Sequence, residues 1–120
     1  MTDRVRFIAH QGREILLVDL SNSSAAEVEK ILRALPDVVT TRPRSSVLAL
    51  TDFTRASISA EGIRVSKETA LFDKPFVKKS AFLGIENLPR EFSEEVGRFS
   101  RREFPAFETH DEALACLVQE

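Results

Sequence analysis

Glu14-Ile15-Leu16-Leu17-Val18-Asp19-Leu20 places four consecutive aliphatic side chains between two carboxylates. Successive side chains of a strand point to opposite faces, so an unbroken aliphatic run predicts a strand covered on both sides, as in parallel sheets. Ser46-Val47-Leu48-Ala49-Leu50-Thr51 repeats the pattern, and so does the stretch 77–85, with Ala81-Phe82-Leu83 at its centre and Gly84 near its exit. Upstream of the first run, Val5 to Ala9 is short and apolar. The polar turn His10-Gln11-Gly12-Arg13 joins the two as a hairpin, which makes the first strand antiparallel to the second.

Helical signals fill the gaps between the runs. Ser24 and Glu27 have capping-box spacing, and Val28, Ile31, Leu32 and Leu35 form one apolar stripe that Pro36 and Asp37 are expected to end. Ser59 is placed to cap a weakly patterned helix over 60–72, which Asp73-Lys74-Pro75 stops. Asn87 is expected to cap the next helix, with Pro89 in its first turn and Phe92, Val96 and Phe99 as its inward stripe. Phe104-Pro105-Ala106-Phe107 reads as a short edge strand. Thr109 and Glu112 form a second capping box before Ala113, Leu114 and Leu117. The order ββαβαβαβα predicts an α/β fold: a mainly parallel sheet with a leading antiparallel hairpin, in one domain over 1–120.

Composition narrows the function classes. The 120 residues are 42% hydrophobic and 30% charged, as in soluble globular proteins. Seventeen basic and 19 acidic side chains nearly cancel, which argues against a nucleic-acid binder. One cysteine makes no internal disulfide, and no Cys/His spacing suggests a metal site, so no metal or cofactor is expected. No apolar run reaches membrane-spanning length, and Met1-Thr2-Asp3-Arg4 lacks a signal-peptide pattern; the expected location is cytoplasmic.

Chemistry in open parallel sheets gathers beyond the carboxyl ends of the strands. Those ends carry Asp19, Ser21 and Asn22, then Asp52 and Thr54, then Gly84 and Asn87. The simplest reading has each aspartate accepting backbone N–H bonds from its own loop; the sharper one is a cation- or phosphate-handling site. A response-regulator receiver needs an early acidic pair and a lysine ending the last strand. Asp19 stands alone, and Lys78 and Lys79 lie at the wrong end of theirs. Phosphate loops of the GxxxxGK[ST] and GxGxxG kinds are missing. His10 falls in a turn and His110 in the first turn of the last helix, both expected to be solvated, and Cys116 reads as a small core residue. No nucleophile–base pair emerges, so the chain is not expected to be an enzyme. Arg98, Arg101 and Arg102 cluster at the end of the third helix, where they favour its C-terminus and allow a Glu94–Arg98 pair.

The strings Gly12-Arg13-Glu14-Ile15-Leu16-Leu17-Val18-Asp19, Ser46-Val47-Leu48-Ala49-Leu50-Thr51-Asp52, Lys79-Ser80-Ala81-Phe82-Leu83-Gly84 and Phe107-Glu108-Thr109-His110-Asp111-Glu112-Ala113-Leu114, in this order, resemble the SpoIIAA-like branch of the STAS fold, grouped with SEC14-type domains. The resemblance implies a stand-alone bacterial signalling domain that acts through a protein partner, such as a kinase or a sigma-factor regulator. In anti-sigma-factor antagonists of that fold a serine in an Asp-Ser-Ser-Gly motif is phosphorylated. Carried through Leu50, the motif's aspartate falls on Ser57 and its phosphoserine on Ile58, so the switch is not matched; Ser59 or Ser57 would have to substitute. The expected partner or regulatory face is Asp19, Asp52, Thr54, Ser57 and Ser59. The alternative is a small carrier that holds a lipid or other apolar ligand between the third helix and the sheet, lined by Phe92, Val96 and Phe99.

Overall fold

The computed structural model describes residues 4–119. Met1, Thr2 and Asp3 of the N-terminal reading lie outside the described residues. The elements are β1 (Val5–His10), β2 (Arg13–Asp19), α1 (Ala25–Val39), β3 (Val47–Asp52), α2 (Ala60–Asp73), β4 (Val77–Leu83), α3 (Phe92–Ser100), β5 (Ala106–Phe107) and α4 (His110–Val118), with a short 3-10 turn at Ile85–Asn87. They build a five-stranded sheet in the order β1-β2-β3-β4-β5. β1 is antiparallel to β2, and the remaining pairs are parallel.

Because β2 to β5 advance in one direction across the sheet, right-handed crossovers put α1, α2 and α3 on the same face. There α1 packs on α2 and α2 on α3, while α4 packs on β3, β4 and β5 from the opposite side. The aliphatic runs divide their side chains between these layers. Leu16, Val18, Val47 and Phe82 join the three-helix core, and Ile15, Leu17, Leu48, Leu50, Ala81 and Leu83 join the core under α4. The alternation is that of strands buried on both faces.

Two helix boundaries and one apolar stripe depart from expectation. α1 continues through Pro36 to Val39. Pro36 lacks the N–H that would serve the Leu32 carbonyl, and that carbonyl instead accepts the buried Thr69 hydroxyl of α2 at 3.4 Å. Asn87 ends the 3-10 turn rather than capping α3, whose N-cap is Glu91. The inward stripe of α3 is Phe92, Val96 and Ser100, while Phe99 is 50% exposed. Steps of four residues keep one side of the helix inward, and Phe99 falls at its rim. The ion pair of α3 is Glu95 with Lys67 of α2 at 3.6 Å, and Glu94–Arg98 is not among the ion pairs of the described residues.

α3 ends at Arg101, a left-handed residue with φ 58°, where Arg102 N–H returns to the Gly97 carbonyl. Glycine is the usual occupant of such a position because a Cβ strains it. Arg101→Gly is expected to stabilise the fold by about 0.5–1 kcal/mol in urea unfolding. An unchanged or lower midpoint would mean that the arginine contributes a contact outweighing the strain.

Candidate functional site

The loops that leave β2 and β3 are near copies of each other. Each strand ends in an aspartate, and these two, Asp19 and Asp52, pair across the sheet. Asp19 Oδ1 accepts from the backbone N–H and hydroxyl of Ser21 at 3.0 and 2.5 Å. Asp52 Oδ1 accepts from the N–H and hydroxyl of Thr54 at 2.9 and 2.6 Å. One residue further on, Asn22 and Arg55 both turn left-handed, with φ 56° and 55°. A short side chain that ties its own loop two residues on is the normal use of aspartate at a turn.

The two loops are also bonded to one another. Leu20 N–H donates to the Asp52 carbonyl at 2.8 Å, Asn22 N–H to the Thr54 carbonyl at 2.8 Å and Ser57 N–H to the Ser23 carbonyl at 3.0 Å. Arg55 Nε donates to Asn22 Oδ1 at 3.0 Å. From the β1 side, Arg4 Nη1 donates to the Ser21 carbonyl at 2.6 Å and the Ser23 hydroxyl at 3.1 Å, and lies 3.8 Å from Asp19 Oδ1. Burial raises the Asp19 pKa, but the Ser21 hydroxyl and amide and the Arg4 charge outweigh it and hold the carboxyl below its usual value.

Gly84, at the exit of β4, closes the third side. Its φ is 71°, and a Cβ there would fall against Thr54 Oγ1 and 2.6 Å from the Thr54 backbone nitrogen. His110, the first residue of α4, was expected to be solvated. It is 53% exposed, yet its Nε2 lies 3.3 Å from Asp52 Oδ2. Its aspartate is 58 residues away in the chain, so no local pattern announces the pair. Gly84 did carry a signal, a glycine at a strand exit.

The serines differ in availability. Ser59 caps α2: its hydroxyl accepts the Gly62 N–H at 3.0 Å and donates to Glu29 Oε2 at 3.1 Å. Ile58 is half-buried against the three-helix core and sits over Gly62, where a Cβ would meet its Cγ1 at 2.8 Å. Ser57 is exposed. The structure thus brings Asp19, Asp52, Thr54, Ser57 and Ser59 into adjoining loops at one end of the sheet. Among the described residues there is no group of three metal-ligating side chains. Cys116 lies near the far end of α4 from His110, and its carbonyl accepts from Lys79 Nζ at 3.2 Å.

The expected pocket lining is not brought together. Phe92 packs edge-on to Phe53, with ring centroids 5.3 Å apart, and Phe53 edge-on to Phe82 at 5.1 Å. Val96 touches a cavity, but that cavity extends under α1 and α2. Phe99 faces solvent.

An α/β sheet with three helices on one face, one on the other and a leading hairpin is a SpoIIAA-like, STAS-type fold. The crystal structure of an uncharacterised protein of the DUF3478 family from Shewanella loihica PV-4, described as SpoIIAA-like, superposes with a TM-score of 0.71 over 94% of this chain and 91% of that one, at 19% identity. Neither a sequence-family profile nor a curated protein sequence matches the chain. No helix of the described residues is long and apolar enough to cross a membrane.

Proposed function

We propose that the chain is a non-enzymatic STAS-type interaction module in bacterial signalling. Its protein partner, a kinase or a sigma-factor regulator, docks on the β2–α1 and β3–α2 loops. The observation that carries this reading is the cross-bonding of the two loops. Hydrogen bonds from Leu20, Asn22, Ser57 and Arg55 fix them in one arrangement, so little ordering entropy opposes docking. The aspartates are spent on holding those loops, which supports a binding surface rather than a reaction centre. The carrier alternative has less support, because the Phe53–Phe82–Phe92 cluster fills the space assigned to its ligand.

Docking at this face is constitutive in this reading. Ile58, a hydrocarbon, stands where the related antagonists carry the phosphoserine. A phosphate on Ser59 would meet the Glu29 carboxylate and would cost the cap of α2. The test is to incubate the protein with a kinase or sigma-factor regulator encoded beside its gene, and to read binding by calorimetry and modification by mass spectrometry. The expected result is binding without phosphate, weakened at least tenfold by Ser57→Arg and unchanged by Arg98→Ala on α3. Stoichiometric phosphate on Ser57 or Ser59 would overturn constitutive docking. Binding indifferent to Ser57→Arg would move the partner off this face.

A further inference from the structure

α2 and α3 run the same way, each from the carboxyl end of one strand to the amino end of the next. Both therefore end beyond the amino ends of the strands, opposite the loop face. Lys67 Nζ of α2 lies 3.6 Å from Glu95 Oε2 of α3. One turn further on, Leu71 and Phe99 take the corresponding places, because residues four apart share a helix face. Phe72 stands next to Leu71 in the same turn. These three, at 49%, 55% and 50% exposure, are the exposed large apolar side chains of the described residues. Single apolar residues scattered over a surface need no explanation, but their collection on two adjoining helix ends marks a docking surface.

The rim of this patch is basic. Lys74 caps the end of α2, Arg98 stands in the last turn of α3 and Arg101 caps its end. All three are exposed, and none forms a side-chain hydrogen bond or ion pair among the described residues. The acids of the two helices are spent or distant. Glu61 and Glu68 pair with Arg64 and Glu95 with Lys67, Asp73 is buried, and Glu94 lies in the first turn of α3. A cation at a helix C-terminus suits the dipole, and that interaction leaves its charge open to an outside anion.

A second copy of the chain would press these cations against one another across a two-fold axis. Two clefts adjoin the patch, one lined by Lys74 and Lys78 and the other by Arg98 and Arg101. Neither includes Leu71, Phe72 or Phe99, so the apolar side chains do not line a groove shaped for a peptide there. A bilayer interface asks for no groove. It takes protruding aromatic and aliphatic side chains between its headgroups and meets flanking Lys and Arg with phosphate. We propose that this end of the domain docks on an anionic phospholipid surface. Leu71, Phe72 and Phe99 enter the interface, and headgroup phosphates hold Lys74, Arg98 and Arg101. Docked this way, the β2–α1 and β3–α2 loops point away from the membrane, and the proposal does not depend on what they bind.

The test is cosedimentation with vesicles of phosphatidylcholine that contain about one-third phosphatidylglycerol, against vesicles of phosphatidylcholine alone. Binding to the anionic vesicles is expected to be at least about tenfold tighter, and to fall by at least about tenfold between roughly 0.05 and 0.5 M salt. Arg98→Ala should weaken it about fivefold, and Phe72→Ser and Phe99→Ser about tenfold each, all with a folded amide spectrum because these side chains are exposed. Lys30→Ala, on α1, is the control and should stay within about twofold of the parent. The chain has no tryptophan, so Phe72→Trp reports its own surroundings, and its emission should move to the blue on anionic vesicles. No binding, equal binding to both vesicles, undiminished binding of the serine variants or an unshifted tryptophan would each overturn the proposal. Self-association that Phe72→Ser abolishes, with no vesicle binding, would overturn it too and give the patch to a second copy.

Discussion

Asp73→Asn is expected to raise the unfolding free energy by about 1–3 kcal/mol at pH 8 and to leave it nearly unchanged at pH 4. Burial pushes the Asp73 carboxyl up from 3.8 to about 7, against the opposing pull of Arg102. It also sits at the last residue of α2, where the helix dipole disfavours an anion. A carboxyl whose folded pKa lies above its unfolded one holds its proton more tightly when folded. Its penalty is therefore absent below about pH 4, grows as the pH rises towards 7, and is constant above. Three units would be worth about 4 kcal/mol at 1.36 kcal/mol each. The expected gain is smaller because Arg102, itself largely buried, loses its counter-charge in the variant. Urea unfolding at pH 4, 6 and 8 measures this directly. An equal difference at all three pH values would show that Asp73 is not held neutral by its surroundings.

Gly84→Ala is expected to cost about 3–5 kcal/mol and to loosen the loop face. Two effects add. A side chain at φ 71° is strained by about 1–2 kcal/mol. The new Cβ would also lie 2.6 and 2.7 Å from the Thr54 nitrogen and Cα, backbone atoms that yield only if the β3–α2 loop shifts. That shift breaks the bonds from Thr54 to Asp52 and from Asn22 to Thr54, at roughly 0.5–1.5 kcal/mol each. Gly12→Ala is the control. Its φ is 76°, but nothing lies within 4 Å of the added carbon, so only the conformational strain of about 1–2 kcal/mol remains. Equal losses at the two glycines would show that the contact with Thr54 carries no energy. Amide exchange of Asn22, Thr54 and Ser57 should quicken in the Gly84 variant and stay unchanged in the Gly12 variant.

Much of this architecture is written in local patterns. Unbroken aliphatic runs name strands covered on both faces. Ser24 with Glu27, Ser59 and Thr109 mark helix starts, because a side-chain cap acts within three residues. Asp19 and Asp52 announce tied turns for the same reason: their partners, Ser21 and Thr54, lie two residues on. Right-handed crossover then leaves little freedom in where the helices go.

What the sequence could not decide depends on partners distant along the chain. Pro36 reads as a helix end, since nothing nearby shows that Thr69 will serve the stranded Leu32 carbonyl. Phe99 reads as core by spacing alone, whereas the rotation of α3 against α2 sends it to solvent and turns Ser100 inward. His110 meets Asp52, and Asp73 sits buried near Arg102, only because α4 folds onto the far face and the α3–β5 connection returns across α2. Sequence by itself determined the elements, their order and the aspartates at the strand ends, because hydrophobic period and capping act over a few residues. Tertiary structure alone decided which side chains meet across elements, and with that the cross-bonded loops, the buried Asp73 carboxyl and the apolar patch at the helix ends.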